Sequence, residues 1–160
     1  MTRIAINGFG RIGRVLFRIL SQFSDFKVVV INDIAKPKVL SHLLKYDSIH
    51  GKYVKEISYD KNSIIIDGKK VFVLNTHDLN DLSWRDFDID VVFECTGSFR
   101  TLEKNMLHVK AGAKKVILSS PSEDLSVPMV VLGVNESIIQ DSDQVISNAS
   151  CTTNCAAPMI

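Results

Sequence analysis

Ile4-Ala5-Ile6-Asn7-Gly8-Phe9-Gly10-Arg11-Ile12-Gly13-Arg14 is the stretch on which the fold turns. Three apolar residues read as a short strand, and the glycines after it impose a tight turn. Beyond the turn, Ile12, Val15, Leu16, Ile19, Leu20 and Phe23 recur at alternating spacings of three and one. That period predicts a helix with these residues on its inner face. Val28-Val29-Val30-Ile31 follows, continuous and β-branched like a strand covered on both faces of a parallel sheet, and it ends at Asn32-Asp33. Residues 3–33 thus read strand, glycine turn, helix, strand, which is one βαβ unit.

Further along the chain, Pro37 can open a second helix with Val39, Leu40, Leu43 and Leu44 inside. The region 53–74 changes character. Strand-like pieces near 54–59, 63–66 and 70–74 are joined by Lys61-Asn62 and Asp67-Gly68, and Asp-Gly between two β-branched runs is a hairpin signal. A small antiparallel insertion is expected there. The parallel pattern resumes with Val91-Val92-Phe93, a helix capped by Thr101 and carrying Leu102, Met106 and Val109, and Val116-Ile117-Leu118. Val130-Val131-Leu132 and Val145-Ile146 are expected to complete the sheet. Strands alternating with helices predict an α/β, doubly wound, mostly parallel sheet. No linker composition divides the chain, so residues 1–150 read as one domain and residues 151–160 as the beginning of another.

The bulk composition is ordinary for a globular domain: 46% hydrophobic and 23% charged residues, with a net charge of +1. Such a balance gives no field for nucleic acid or an anionic membrane. No apolar run reaches the roughly 18 residues of a membrane span, and Met-Thr-Arg leads straight into a strand, without a signal-peptide pattern. Three cysteines (Cys95, Cys151 and Cys155) suit a reducing, cytoplasmic setting better than a disulfide scaffold.

Gly8-Phe9-Gly10-Arg11-Ile12-Gly13 fits the G-x-G-x-x-G pattern of a Rossmann dinucleotide fold, and it lies where that pattern has meaning, between a strand and a helix. The first glycine permits the turn, the second lets a pyrophosphate approach the backbone, and the third lets helix and strand pack closely. Free N–H groups and partial positive charge at the helix start suit phosphate. Asp33 lies 20 residues after Gly13 and ends the second strand with Asn32. A carboxylate there accepts from a ribose 2′-hydroxyl and repels a 2′-phosphate, which selects NAD, although Lys36 and Lys38 nearby could receive a phosphate.

The second chemical signal is Ser147-Asn148-Ala149-Ser150-Cys151-Thr152-Thr153-Asn154-Cys155, after a strand and at an expected helix start. A cysteine so placed has its thiolate stabilised by the helix dipole and can act as a nucleophile. Thr152 offers a hydroxyl to a phosphate or oxyanion. The residues alone leave other readings open: a pair of buried small residues, a metal pair for which no second ligand cluster is present, or a disulfide awkward within one turn. Pro158 is expected to disturb any helix begun at Cys151.

Taken together, the glycine and cysteine segments resemble the two signatures of glyceraldehyde-3-phosphate dehydrogenases. So do Leu44-Lys45-Tyr46-Asp47-Ser48, Glu94-Cys95-Thr96-Gly97, Ala111-Gly112-Ala113-Lys114-Lys115-Val116-Ile117 and Gly133-Val134-Asn135. The resemblance implies the NAD-dependent phosphorylating oxidation of glyceraldehyde 3-phosphate, with inorganic phosphate as co-substrate, in a cytoplasmic homotetramer. It implies Cys151 as nucleophile and Ser150 and Thr152 at the substrate site. Gly8, Phe9, Gly10, Arg11, Ile12 and Gly13 would form the cofactor loop, Asn32 and Asp33 the ribose end, and Thr96, Gly97 and Ser119 the nicotinamide side. No metal is implied.

The chain departs from the family's pattern in two places. His77 stands where an arginine or lysine is usual, which weakens its expected contact with the adenine end, and Cys95 replaces a small residue and reads as packing. None of His42, His50, His77 and His108 matches the family's general base; they read as surface or structural histidines. A non-catalytic NAD-binding module and a relative acting on erythrose 4-phosphate are the competing readings.

Overall fold

The computed structural model describes residues 1–160. Its elements run β1 (Thr2–Asn7), α1 (Arg11–Leu20), β2 (Phe26–Asn32), α2 (Pro37–Lys45), β3 (Tyr46–Asp47), β4 (Gly51–Lys52), β5 (Ile57–Tyr59), β6 (Ser63–Ile66), β7 (Lys69–Leu74), β8 (Val91–Glu94), α3 (Leu102–Lys110), β9 (Lys115–Leu118), β10 (Val145–Ser147) and α4 (Cys151–Ala156). An eight-stranded sheet has the order β10-β9-β8-β1-β2-β7-β6-β5, and β3 and β4 form a separate two-stranded ribbon. The six strands from β10 to β7 are parallel, while β6 and β5 continue antiparallel from β7. The doubly wound sheet is therefore as expected. The antiparallel region is more integrated than an insertion: β7 is a parallel strand of the main sheet as well as one arm of the hairpin.

Alternation along β1 divides the core in two. Ile4 and Ile6 face a cluster with Phe9, Phe17, Leu20, Leu40 and Leu44 from the side of α1 and α2. Ala5 faces the opposite cluster, which holds Trp84, Ile89 and Val116 and is packed by Leu102, Met106 and Leu107 of α3. Helices thus cover both faces, which is why the central strands carry continuous apolar runs such as Ile4–Ile6, Val28–Ile31 and Val91–Phe93. No helix is long and apolar enough to cross a membrane.

The apolar stripe of α1 differs from its expected one. Gly13, Phe17 and Leu20 are buried, whereas Ile12 and Ile19 are exposed. Gly13 sets the rotation. A Cβ there would lie 2.2 Å from the Gly8 carbonyl oxygen, so the bare face of Gly13 is pressed on the turn and its i+4 and i+7 neighbours follow it inward. The Phe9 and Phe17 rings meet edge to face at 5.7 Å beneath the turn, an arrangement worth about 0.5–1.5 kcal/mol beyond area burial. In α2, Leu40, Ser41 and Leu44 face inward while Val39 and Leu43 are exposed.

Residues 130–132 do not form a strand. Only Met129 bridges to Ser147. Pro128 has no N–H to give, and the Asn135 side chain takes the Val131 N–H (2.7 Å) and donates to the Met129 carbonyl (3.0 Å), diverting the backbone from a ladder. Thr101 does cap α3, its hydroxyl accepting from the Lys104 N–H. The helix at Cys151 stops at Ala156 and gives way to a 3-10 turn at Ala157–Met159 that contains Pro158.

Candidate functional site

The chain leaves β1, winds outward through β2 to β7, and returns to β8 on the other side of β1. Between β1 and β8 the winding reverses, and in open α/β sheets ligands bind at such a point, outside the carboxyl ends of the strands. There the turn after β1 meets the turn after β8: a Cβ on Gly8 would lie 2.7 Å from the Thr96 nitrogen, and Gly8 adopts a φ of +88°. Gly10 is the exception among the three motif glycines, because nothing lies within 4 Å of where its Cβ would be. Its open face borders the start of α1, whose first intrahelical bond runs from the Arg14 N–H to the Gly10 carbonyl. No side chain caps that end and no acidic residue stands in its first turn. The earlier amides point outward with the positive end of the helix dipole. An uncapped helix end beside a bare glycine fits a pyrophosphate.

A cleft of about 380 Å³ opens on this edge, lined among others by Gly8, Gly10, Asn32, Asp33, His77 and Thr96. These sequence-predicted residues are thereby brought together. Asp33 already has two structural bonds: one carboxylate oxygen accepts the Phe9 N–H at 2.7 Å and the other the Ala35 N–H at 2.9 Å. Each oxygen retains a second lone pair for a ribose hydroxyl. Gly97 shares the turn with Thr96 and has a φ of +73°, and Arg11 and Ile12 open α1 with exposed side chains. Phe9 and Gly13 support the cleft from below; the Phe9 side chain is buried and its N–H is taken by Asp33. Ser119 lies at the end of β9 outside the lining, its N–H donating to the Glu94 carbonyl.

Cys151 is the first residue of α4, four residues beyond β10, and it is exposed, as is Cys155 one helical turn on. Because β10 is parallel to β9, β8 and β1, Cys151 emerges at the same edge of the sheet as the glycine turn. The approach is strained: Ala149 is buried at a φ of +54°, a conformation costly for any residue with a Cβ. The Ser150 hydroxyl accepts the Thr153 N–H at 2.9 Å and so caps α4, while Thr152 is exposed. Cys95 contrasts with the other two cysteines. Burial pushes its thiol up to about 12, the adjacent Glu94 adding to the rise and a Ser119 hydrogen bond opposing it. It packs against the cluster around Phe9 and borders the cleft. No group of three or more His, Cys, Asp or Glu side chains is gathered as a metal would need.

One part of the site was not legible as such in the sequence. Asn7, Asn32 and Glu94 are the last residues of β1, β2 and β8, paired across the sheet at one level, and all three are buried. Asn32 donates to the Asn7 amide oxygen at 2.8 Å, and Asn7 donates to Glu94 at 2.5 Å. The other Glu94 oxygen accepts both the N–H (2.7 Å) and the hydroxyl of Thr96. His108, with no exposed surface, lies 3.1 Å from Glu94 through Nε2, and its Nδ1 accepts from the Trp84 indole at 3.0 Å. The signal that could have found this row is a polar residue closing each of three apolar strands at the same offset.

A family model described as the NAD binding domain of glyceraldehyde 3-phosphate dehydrogenase matches residues 2–102. Among curated relatives, the chain is 48% identical over 158 residues to a glyceraldehyde-3-phosphate dehydrogenase of Mycoplasma pneumoniae, covering 99% of this chain and 47% of that protein. It is 49% identical over 159 residues to glyceraldehyde-3-phosphate dehydrogenase 2 of Bacillus subtilis, covering 99% and 46%, and 48% identical over 164 residues to the Thermotoga maritima protein, covering 100% and 48%. The chain spans about half the length of these relatives. With a family model matching residues 2–102, most of the chain, it belongs to the glyceraldehyde 3-phosphate dehydrogenase family, whose NAD-binding domain it carries.

Proposed function

We propose that the chain is the cofactor-binding half of an NAD-dependent, phosphorylating glyceraldehyde-3-phosphate dehydrogenase, with residues 1–150 as the nucleotide domain and 151–160 opening the catalytic one. The observation that carries this reading is the shared sheet edge: an uncapped helix end and a cleft bearing Asp33 lie on the side from which the exposed Cys151 emerges. The α1 end at Gly10, Arg11 and Ile12 holds the pyrophosphate, Asn32 and Asp33 the ribose, His77 borders the adenine, and Thr96, Gly97 and Ser119 stand toward the nicotinamide. When bound, NAD supplies the hydride acceptor.

The Cys151 thiolate adds to the aldehyde carbon, forming a C–S bond and a thiohemiacetal. Oxidation of the thiohemiacetal, with its hydride passing to the bound cofactor and its hydroxyl proton to a general base of the catalytic domain, would leave a thioester on Cys151. Attack of inorganic phosphate on the thioester carbonyl breaks the C–S bond, releases 1,3-bisphosphoglycerate and returns the thiolate. Thr152 presents its exposed hydroxyl to substrate and phosphate, and Ser150 contributes less directly, its hydroxyl capping α4. His108 cannot take the proton of the thiohemiacetal hydroxyl, since it is buried with both ring nitrogens engaged. In this reading the assembled enzyme is a cytoplasmic homotetramer.

The test is NADH formation from glyceraldehyde 3-phosphate by the natural-length protein, with and without phosphate, against Cys151→Ser. Phosphate-dependent turnover that falls in Cys151→Ser by about 10⁴-fold or more, as when a nucleophile is removed, supports the proposal. Full activity in Cys151→Ser sinks the nucleophile. Binding of NAD with no turnover on any phosphorylated aldehyde favours a non-catalytic module instead.

A further inference from the structure

The row of buried polar side chains behind the cleft has a direction. An indole N–H can only donate, so Trp84 requires His108 Nδ1 to accept. The ring proton then lies on Nε2, and the contact with Glu94 is a donation into its carboxylate, not an ion pair. The other end is fixed as firmly. The backbone N–H of Thr76 donates to the Asn32 amide oxygen at 3.0 Å, and the Asn32 amide nitrogen donates to the Thr76 carbonyl at 3.0 Å. That sets the Asn32 amide, which sets Asn7, whose nitrogen must face Glu94. Donors therefore converge on Glu94 from both ends, and Thr96 adds two more through its N–H and hydroxyl. Four donors meet two oxygens, and an acceptor-only side chain is the one kind that satisfies them all.

The row also joins four cleft segments that are distant in sequence. Asn7 leads into the glycine turn, Asn32 into Asp33, Thr76 into His77, and Glu94 into the Thr96–Gly97 turn, whose Ser98 N–H in turn donates to the Thr96 hydroxyl at 3.1 Å. Trp84 and His108 lie behind, fully buried and outside the cleft lining. We propose that Glu94 is a positioning residue of the nucleotide site: it fixes the relative placement of the glycine, Asp33, His77 and Thr96 turns through a hydrogen-bond row whose donors converge on it, held at one end by Trp84 and at the other by Thr76. This rests on the NAD reading of the cleft and adds the group that holds it in shape.

Trp84 is the only tryptophan in the chain, so its indole N–H gives one resolved resonance. The experiment titrates the chain with NAD, following that resonance and the calorimetric affinity, and repeats both on Glu94→Gln. Gln puts an NH₂ group against a set of donors whichever way it turns. The expected result is that NAD shifts the buried indole resonance in the wild type, and that Glu94→Gln weakens NAD binding by about tenfold or more, the scale of one unpaired buried polar group. The Thr76 amide, at the far end of one arm, and the Thr96 amide, on Glu94 itself, should lose hydrogen-exchange protection together in that variant. NAD binding that leaves the indole resonance still, with Glu94→Gln within about twofold of wild type, a difference below the scale of one hydrogen bond, overturns the proposal. If Glu94→Gln does not fold, the wild-type titration alone decides. If the wild-type chain takes up no NAD, the cofactor reading fails separately. The row then stands or falls on the joint loss of Thr76 and Thr96 protection.

Discussion

At the residue scale, the three glycines of the turn divide their work sharply. Gly8 and Gly13 are closed against backbone atoms, and Gly10 faces open space. Substitution to alanine should separate folding from binding. Gly13→Ala forces a methyl into the Gly8 carbonyl and is expected to lower stability by about 1–3 kcal/mol, the usual range for overpacking, as read by denaturant unfolding. Gly10→Ala should unfold like the wild type and yet bind NAD less tightly, because its new methyl meets only the ligand. A Gly10→Ala protein with unchanged NAD affinity would place the pyrophosphate elsewhere. The roles of these glycines were readable from spacing because each is a local demand. Asn7, Glu94 and His108 were not, because their roles exist only once β1, β2 and β8 are side by side.

At the element scale, the far edge of the sheet is tied by Asp90, just ahead of β8. One of its oxygens accepts the Arg3 N–H of β1 at 2.8 Å, and the other meets the Lys114 ammonium ahead of β9 at 2.7 Å. The Arg3 amide and then the Lys114 charge hold the Asp90 carboxyl below the ordinary carboxylate range. A depressed folded-state pKa gives stability that is present above the unfolded value and lost as pH falls through the folded one. Between about pH 5 and 2 the wild type should therefore lose thermal stability more steeply than Asp90→Asn, which starts lower at neutral pH and follows a flatter acid limb. Parallel acid limbs in calorimetric scans would remove Asp90 from this role. Helix orientation was the weakest part of the sequence reading at this scale. Counting apolar positions put Ile12 and Ile19 inside α1, whereas the close contact at Gly13 turns them to solvent.

For the whole molecule, the doubly wound architecture was legible because alternation of β-branched runs with amphipathic segments is a local pattern. The place of β7 was not, since Lys69–Leu74 pairs with β6 through the Asp67-Gly68 turn and with β2 across a long gap in sequence, and only the first partner leaves a local mark. The cysteine turn was legible as a position but not as a strained one; nothing in its composition announces a left-handed Ala149.

The segment that failed to become a strand has its own consequence for the chain in a crowded solution. It runs along the outer side of β10, where the Ser147 N–H donates to the Pro128 carbonyl and the Ser147 carbonyl accepts from Val130. A bare terminal strand is a template for other chains to add to, and here the template is already occupied by a stretch too irregular to be extended in turn. Val130→Pro removes the donor that holds this cover. It should raise the rate of concentration-dependent, thioflavin-positive assembly while leaving the dilute protein folded, and an unchanged assembly rate would mean that something other than this irregular selvedge keeps neighbouring molecules apart.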